Sequence, residues 1–296
     1  MVVLYLEHRL KITMVTSDRI KEYRSHTFGY HPKDRVKTKD EAIQYVNERG
    51  FIYFWPINGI TLPSLWGAVS GNRPVPNEHD DPGHVSWDWK DSLLGKHVWF
   101  YGKILRKKAT IISMEIAPYF YALTENYGSP EEDYLTIYEQ GRMTQEAKTV
   151  YEALLEHSPL DTITLRKASH LTSHESESRF NRALADLQTD FKIMPVDVVD
   201  AGSWHYSFAY DIVARHEPTL LEKARYLGEL DARQKILELY FYSVGAAQIR
   251  DLVKLLGWKP PDFTKAIDSL EQQGIIQNHQ GVDGLPGEWM VLNDIF

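Results

Sequence analysis

The chain has 296 residues, which is enough for two or three small domains. Its 43% hydrophobic and 25% charged residues are typical of a globular protein and exclude wholesale disorder. No stretch approaches the roughly 18 consecutive apolar residues that a membrane-spanning helix needs. The absence of cysteine excludes a disulfide framework, thiolate catalysis and cysteine-ligated zinc or iron–sulfur sites, and we expect a cytoplasmic protein.

The formal net charge of −8 is unevenly distributed along the chain. Residues 1–141 contain 17 basic and 18 acidic side chains, whereas residues 142–296 contain 16 and 23. Within the near-neutral first half, residues 96–108 (KHVWFYGKILRKK) include five basic side chains and no acidic one. A second basic stretch runs from Lys33 to Lys39. A polyanionic partner should therefore contact the first half of the chain.

The clearest pattern of secondary structure begins at Thr144, which can cap a helix with an apolar stripe ending before Ser158-Pro159. A short helix over 164–171 and a third helix capped by Ser173 follow. Two β-rich runs, 191–199 and 204–213, are joined at Asp200-Ala201-Gly202 and predict a hairpin, in which Pro195 places its strand at an edge. This order of elements is that of a winged helix-turn-helix.

The same order recurs towards the C-terminus. Two striped helices end at Gly245 and Gly257, and a third begins at Pro260-Pro261. A second hairpin is predicted around Asp283-Gly284. The predicted fold is therefore mainly α with small β wings (α+β), built from tandem winged helix-turn-helix domains at 142–216 and 217–296.

Residues 14–141 are interpreted as a third, elaborated winged-helix domain that starts at the polar segment after Met14. A helix is predicted over 40–48 with Gly50 as its C-cap, and residues 72–91 are predicted to form a loop. Residues 96–113 alternate between apolar and basic runs and predict a strand pair that forms this domain's wing.

The third helix of a winged helix usually enters the DNA major groove, but here both third helices are acidic. Residues 173–190 and 261–273 each carry a net charge of −2, where phosphate contact needs positive charge. Packing or protein contact is favoured for them over groove reading. The predicted phosphate-binding residues lie instead in the basic run: Lys96, Lys103, Arg106, Lys107 and Lys108.

The aromatic residues and the acidic loop that contains residues 78–88 predict a base-binding site. Five of the eight tryptophans lie in the first domain, and Trp55, Trp87 and Trp89 are candidates to stack an unpaired base, whereas Trp66 and Trp99 are better explained as core. If Trp87 and Trp89 lie on a strand, they point the same way. The candidate catalytic carboxylates are Glu78, Asp80, Asp81 and Asp88, with an ordinary turn at 80–83 as the structural alternative. Metal binding by His79 and His84 is a less favoured interpretation of this loop than a turn or a catalytic carboxylate, so no metal or cofactor is expected.

The tandem winged-helix order, the segment GFIYFWPINGITLPSLW and the basic β segment before an aromatic helix resemble the AlkZ/YcaQ family of winged-helix DNA glycosylases. The resemblance extends over most of residues 14–296, and it is closer to relatives that carry FWPI and HDDPGH. It implies three winged helices around a DNA channel, double-stranded DNA as the partner, including damaged DNA, and excision of alkylated or crosslinked bases.

The family's catalytic motif, Gln-x-Asp or Gln-x-Gln in the first domain, is missing from residues 14–141. Its expected place falls on Tyr53-Phe54-Trp55. Any cleavage of an N-glycosidic bond would then depend on the loop carboxylates, because a nearby carboxylate stabilises the oxocarbenium-like sugar. Two readings remain: a glycosylase-related DNA-binding protein, or a non-catalytic tandem winged-helix regulator or protein-interaction module.

Overall fold

The structure, a computed structural model, describes residues 15–76, 78, 80–202 and 205–296. His79, the N-terminal residues up to Met14, and Trp204, at which the second strand of the first hairpin was expected to begin, lie outside the described residues. No helix in the described ranges is both long and apolar enough to cross a bilayer.

The first segment, residues 15–141, contains six helices and three strands among its described residues. The helices are α1 (Ser17–Thr27), α2 (Lys39–Arg49), α3 (Leu65–Ser70), α4 (Val85–Ser92), α5 (Ala117–Tyr121) and α6 (Asp133–Glu139). The strands are β1 (Phe51–Tyr53), β2 (Trp99–Lys103) and β3 (Ala109–Ser113), in the antiparallel order β1-β3-β2. The predicted helix ending at Gly50 and the predicted strand pair within 96–113 are confirmed.

The second segment, residues 142–216, shows the predicted order of elements. It comprises α7 (Gln145–His157), β4 (Leu160–Asp161), α8 (Thr162–Ala168), α9 (Glu177–Thr189), β5 (Ile193–Val199), β6 (Ser207–Ile212) and α10 (Val213–His216). Thr144 caps α7 by accepting a hydrogen bond from the Ala147 N–H, as predicted. The sheet order β4-β6-β5 places Pro195 on an edge strand, where its missing N–H leaves no gap in the ladder.

The third segment, residues 217–296, repeats this order after one additional helix. It comprises α11 (Pro218–Ala224), α12 (Glu229–Val244), β7 (Ala246–Ala247), α13 (Ile249–Leu256), α14 (Pro260–Gln272), β8 (Ile276–Val282) and β9 (Leu285–Leu292). Gly245 and Gly257 are the C-caps of α12 and α13, and the sheet order is β7-β9-β8. The fold is mainly helical with small antiparallel sheets. The division into three domains stays a prediction.

The sheet of the first segment separates two apolar cores, because alternate residues of a strand face opposite sides. Ile52, Trp99 and Ile111 belong to a core within the first segment. Phe51, Phe100 and Ile112 face a larger core that continues into the third segment and includes Ile236, Tyr240 and Phe241. A third core surrounds Val150, Leu154 and Phe180 of the second segment and includes Tyr134 and Ile137 of α6.

One prediction for the first segment is wrong. Residues 72–91 are not all loop, because 85–92 form α4 and residues 82–84 form a 3-10 turn that leads into it. No side chain caps α4 at its own N-terminus, and the cap is displaced to Asp81 at the start of the 3-10 turn. The usual sequence signal for a helix start is therefore absent before Val85.

Candidate nucleic-acid interface and aromatic cleft

Lys103, the last residue of β2, and residues 104–108, which connect β2 to β3, are together called the basic turn. Lys103, Arg106, Lys107 and Lys108 are all exposed on it. Arg106 and Lys107 have left-handed backbones, with φ of 55° and 56°. The Thr110 hydroxyl holds the turn together by accepting from the Leu105 N–H at 3.2 Å and donating to the Lys108 carbonyl at 2.8 Å. Four of the five predicted phosphate-binding residues therefore lie within one turn.

Helix α9 packs against one side of the basic turn. The Gln188 side-chain oxygen accepts a hydrogen bond from the Lys103 N–H at 3.1 Å, and the Thr189 hydroxyl donates to the Lys103 carbonyl at 2.7 Å. Asp186 forms an ion pair with Lys107. The C-terminal half of α9, the third helix of the second segment, thus packs against the basic turn. This favours packing over groove reading as the role of α9.

Lys96 is not brought to the basic turn. It lies before Trp99, whereas Lys103 ends the same strand, and a strand advances by about 3.3 Å per residue. The surface beside Lys96 is an acidic cleft to which Asp161, Asp197 and Asp211 contribute. Repulsion by these carboxylates makes this place unsuitable for a phosphate chain.

A second cleft, called the aromatic cleft, has a volume of about 590 Å³. Its lining consists of Trp55, Val75, Pro76, Asp80, Asp81, Pro82, His84, Val85, Trp87 and Asp88. The rings of Trp55 and Trp87 lie with centroids 5.9 Å apart at an interplanar angle of 62°, and Trp87 is 39% exposed. Three of the four candidate carboxylates line this cleft, while Glu78 is exposed outside its lining.

The expectation that Trp87 and Trp89 would share a strand face does not apply, because both lie on α4. Residues two apart on a helix point in nearly opposite directions, at about 100° per residue. Trp87 therefore faces the aromatic cleft, whereas Trp89 packs against the core that contains Trp99 and Ile111. Of the two, the structure brings only Trp87 to the cleft.

Asp81 is held in place by structural contacts. Its carboxylate forms two bonds with the Arg73 guanidinium, at 2.6 and 2.9 Å, and accepts from the Gly83 N–H at 2.7 Å. The bond to Arg73 holds the pKa of the Asp81 carboxyl below its ordinary value. Arg73 also lies over the Trp66 ring at 4.8 Å. This pattern favours the turn role for Asp81 and leaves Asp80 and Asp88 as the exposed carboxylates of the aromatic cleft.

A buried lysine behind the aromatic cleft was missed by sequence reasoning. Lys90 is 2% exposed, and its ammonium is surrounded by aromatic rings in what we call the lysine cage. The cage is formed by Phe54, Trp87, Tyr101, Tyr206 and Phe208, with distances of 4.7–5.7 Å from the ammonium to the ring centroids. Burial lowers the pKa of the Lys90 ammonium, and the ion pair with Asp91 at 2.6 Å opposes that shift.

The lysine cage joins the first segment to the hairpin of the second. The Tyr206 hydroxyl accepts hydrogen bonds from Lys90 at 3.0 Å and from the Trp87 indole at 3.2 Å, and donates to Asp91 at 3.0 Å. The partners are 115–119 residues apart in the chain, so no local sequence pattern could have paired them. Trp87 is therefore fixed from behind while its other side faces the cleft.

The aromatic cleft and the basic turn are adjacent on the same sheet. The Phe54 N–H donates to the Ala109 carbonyl at 2.8 Å. Trp55 of the cleft follows Phe54 and Lys108 of the turn precedes Ala109, so the two residues flank this hydrogen bond. Aromatic faces and exposed cations meet where β1 ends. This combination of stacking surfaces and a cationic edge is typical of sites that bind nucleic acid.

One Gln-x-Asp triplet occurs in the chain, Gln188–Asp190, and it lies outside the first predicted domain at the end of α9. The Gln188 side chain is 2% exposed and uses its amide on Lys103 and on the Leu184 carbonyl. Because both ends of that amide are occupied, the Gln188 side chain serves packing. Residues 53–55, where the family motif was expected, contribute Trp55 to the cleft lining.

Comparison with known proteins agrees with this architecture. The family model described as AlkZ related matches residues 36–257. The fold is similar to that of the Streptomyces sahachiroi DNA glycosylase AlkZ, with a TM-score of 0.59 and 11% sequence identity, over 95% of this chain and 71% of that one. No curated protein sequence matches the chain. Since the family model matches well over half of the residues, the chain belongs to the AlkZ-related family.

Proposed function

We propose that the protein binds double-stranded DNA and receives a damaged base in the aromatic cleft. The observation that carries this proposal is the position of the cleft beside the basic turn, through the bond between Phe54 and Ala109. A phosphate chain on the turn would leave a base extruded from the same strand close to Trp55 and Trp87. The similarity to a DNA glycosylase in fold supports the choice of DNA as the partner.

The basic turn would supply the electrostatic part of binding. Lys103, Arg106 and Lys108 are exposed and form no ion pair among the described residues, while Lys107 is paired with Asp186. An exposed ion pair contributes at most about 1 kcal/mol, so a phosphate can compete for Lys107. Each phosphate contact releases close to one counterion, which makes binding steeply dependent on salt.

The aromatic cleft would supply selectivity for damage. Flipping a base costs a few kcal/mol, and stacking on an aromatic side chain returns about 1–3 kcal/mol. A damaged base that stacks poorly in the duplex costs less to extrude, and it is therefore preferred. The volume of about 590 Å³ lies within the range of about 300–1,000 Å³ that small-molecule sites occupy.

Base excision in this cleft would rely on Asp80 or Asp88, because Asp81 is already bonded to Arg73. A carboxylate near the sugar stabilises the positive charge that develops as the N-glycosidic bond breaks. Recognition of damage without excision is the second possibility. It is favoured by the absence of the family's glutamine motif from residues 14–141.

Binding and excision can be measured on the same duplexes. We expect tighter binding to a duplex with an abasic site or an alkylated base than to the undamaged duplex at one stated salt concentration. The Lys103→Ala/Arg106→Ala/Lys108→Ala variant should flatten the slope of log K against log salt by about two to three units. Lys33→Ala/Lys37→Ala, in the other exposed basic stretch, is the matched control and should leave the slope nearly unchanged.

The outcomes separate the alternatives. Release of free base that is lost in Asp80→Asn or Asp88→Asn indicates excision by the cleft. Preferential binding without base release indicates a recognition protein. Equal, weak binding to all duplexes and an unchanged slope in the triple variant would contradict the proposal and favour the protein-interaction module.

A further inference from the structure

A cluster of potential metal ligands lies away from both the aromatic cleft and the basic turn. It consists of His97, His216 and Glu217, each of which offers one ligand atom, and these atoms lie within 4.8 Å of one another. His97 lies in the loop between α4 and β2, His216 ends α10, and Glu217 connects α10 to α11. The cluster therefore joins the α4–β2 loop to the junction between α10 and α11.

Glu217 gives the cluster an unusual buried carboxylate. Its side chain is 3% exposed, and one of its oxygens lies 2.8 Å from Nδ1 of His97, whose side chain is 58% exposed. Burying a carboxylate is costly unless it is paired with a cation or binds a metal. The imidazoles of His97 and His216 are stacked with centroids 5.1 Å apart, so both rings lie beside this carboxylate.

His216 is oriented by a further carboxylate. Its Nδ1 lies 3.7 Å from Asp211, and its Nε2 lies 3.3 Å from the Gly95 carbonyl, next to the loop that holds His97. In many metal sites a carboxylate binds the ring nitrogen that does not ligate the metal, and so fixes the tautomer and the ring. Asp211 occupies that position here, so a metal at Nε2 would replace the present bond of that nitrogen to the Gly95 carbonyl.

We propose that His97, His216 and Glu217 bind one Zn²⁺ ion per chain, with water as the fourth ligand. Two imidazoles and one carboxylate are ligands that zinc accepts, at about 2.0–2.2 Å. Tetrahedral binding at those lengths brings ligand atoms to about 3.4 Å from one another. The ligand atoms now lie within 4.8 Å of one another, and the two stacked rings would have to turn for their nitrogens to face one ion. The ion would take the place of the hydrogen bond between His97 and Glu217, and it would tie the α4–β2 loop to the junction of the second and third segments.

The chain provides its own control. The other comparable group among the described residues is His26, His31 and Asp34, which lies within nine consecutive residues and is more exposed. It lacks a buried carboxylate and joins no distant elements. A zinc site at 97, 216 and 217 should therefore be insensitive to His31→Gln.

The test uses the untagged full-length chain after dialysis against a chelator, titrated with zinc sulfate in a calorimeter. We expect one Zn²⁺ per chain, with binding at least tenfold weaker in His97→Gln and in His216→Gln. Asp211→Asn should weaken binding by about 10- to 100-fold. His31→Gln should bind as the wild type does, and zinc should raise the thermal midpoint of the wild type but not of His97→Gln.

A second measurement does not depend on folding of the variants. Addition of zinc to the wild type should shift the imidazole NMR signals of His97 and His216 and leave those of His26 and His31 in place. No binding of zinc, or binding that is lost in His31→Gln and kept in His97→Gln, would overturn the proposal.

Discussion

The Trp87 indole donates a hydrogen bond to the Tyr206 hydroxyl at 3.2 Å, so a wall of the aromatic cleft is fixed by a residue of the second segment. The same hydroxyl also accepts a hydrogen bond from Lys90 and donates one to Asp91. We expect Tyr206→Phe to lower the free energy of unfolding by about 1–3 kcal/mol, because buried partners are left unsatisfied. Urea unfolding measures this change. A loss below about 0.5 kcal/mol would mean that water replaces the hydroxyl.

The different directions of Trp87 and Trp89 predict different effects of their replacement on lesion binding. Trp87→Ala should lose some stability, because Trp87 covers Lys90 and donates to Tyr206, and it should weaken binding to lesion-containing duplex by about 5- to 150-fold, the equivalent of 1–3 kcal/mol of stacking. Trp89→Ala should lower the thermal midpoint, because it opens a cavity beside the core, and should leave lesion binding nearly unchanged. Calorimetry and gel-shift titration of both variants check this. Equal losses of lesion binding in two well-folded variants would contradict it.

In the proposed complex, Asp186 would compete with a DNA phosphate for Lys107. Asp186→Asn removes the competing charge and keeps the size of the side chain, so we expect tighter DNA binding and a salt slope steeper by up to about one unit. Titrations at two salt concentrations measure both quantities. Glu146→Gln is a suitable control, because Glu146 pairs with Arg179 at the other end of α9. If Asp186→Asn and Glu146→Gln bind DNA equally well, the tighter binding comes from the lower net negative charge of the protein and not from the release of Lys107.

Gly83 is needed for close packing beneath the aromatic cleft. A Cβ at this position would lie 2.1 Å from the Ser70 hydroxyl and 2.7 Å from the Trp66 ring. Gly83→Ala should therefore lower the free energy of unfolding by about 1–3 kcal/mol. At Gly281 a Cβ meets nothing within 4 Å, and Gly281→Ala should be nearly neutral. Similar effects of the two substitutions in urea unfolding would be inconsistent with this packing.

Buried tyrosines predict a loss of stability at alkaline pH. Burial raises the pKa of Tyr53 to about 12 and raises the pKa values of Tyr101, Tyr210 and Tyr240 as well. In the unfolded chain tyrosines ionise near pH 10. Their contribution is therefore fully present below about pH 10 and is lost as the pH rises through the folded values. Urea unfolding between about pH 8 and pH 11 should show this fall in the free energy of unfolding. Tyr53→Phe should make the slope of that fall shallower by at most about 1.4 kcal/mol per pH unit.

The elements of the second and third segments were predictable because their signals are local. The cap at Thr144, the glycines at 245 and 257 and the edge proline at 195 each act through the backbone of a few neighbouring residues. Helix α4 was missed because its cap lies at Asp81, four residues before Val85. The basic turn was found from its run of cations, whereas its partner Asp186 is 79 residues away.

The aromatic cleft was predictable in its composition but not in its geometry. Trp55, Trp87 and the carboxylates at 80, 81 and 88 were named from their proximity in sequence, and they line one cleft. The pairing of Arg73 with Asp81 depends on the path of a loop, and the lysine cage depends on contact with the second segment. Both arise from tertiary packing, which the spacing of residues along the chain does not encode.

The core shared by the first and third segments has a consequence for synthesis on the ribosome. The Arg24 guanidinium donates to the carbonyls of Val244 and Ala246, and Thr27 donates to that of Ser243, so α1 docks on a helix that is made more than 200 residues later. Until then the emerging N-terminal segment exposes apolar surface, a state that is prone to aggregation. The buried residues of the core around Val150 lie between Tyr134 and Ile212, so this core needs no residue of the third segment. A truncated chain that ends near residue 216 should therefore keep the core around Val150, while the apolar surface of its N-terminal segment stays uncovered.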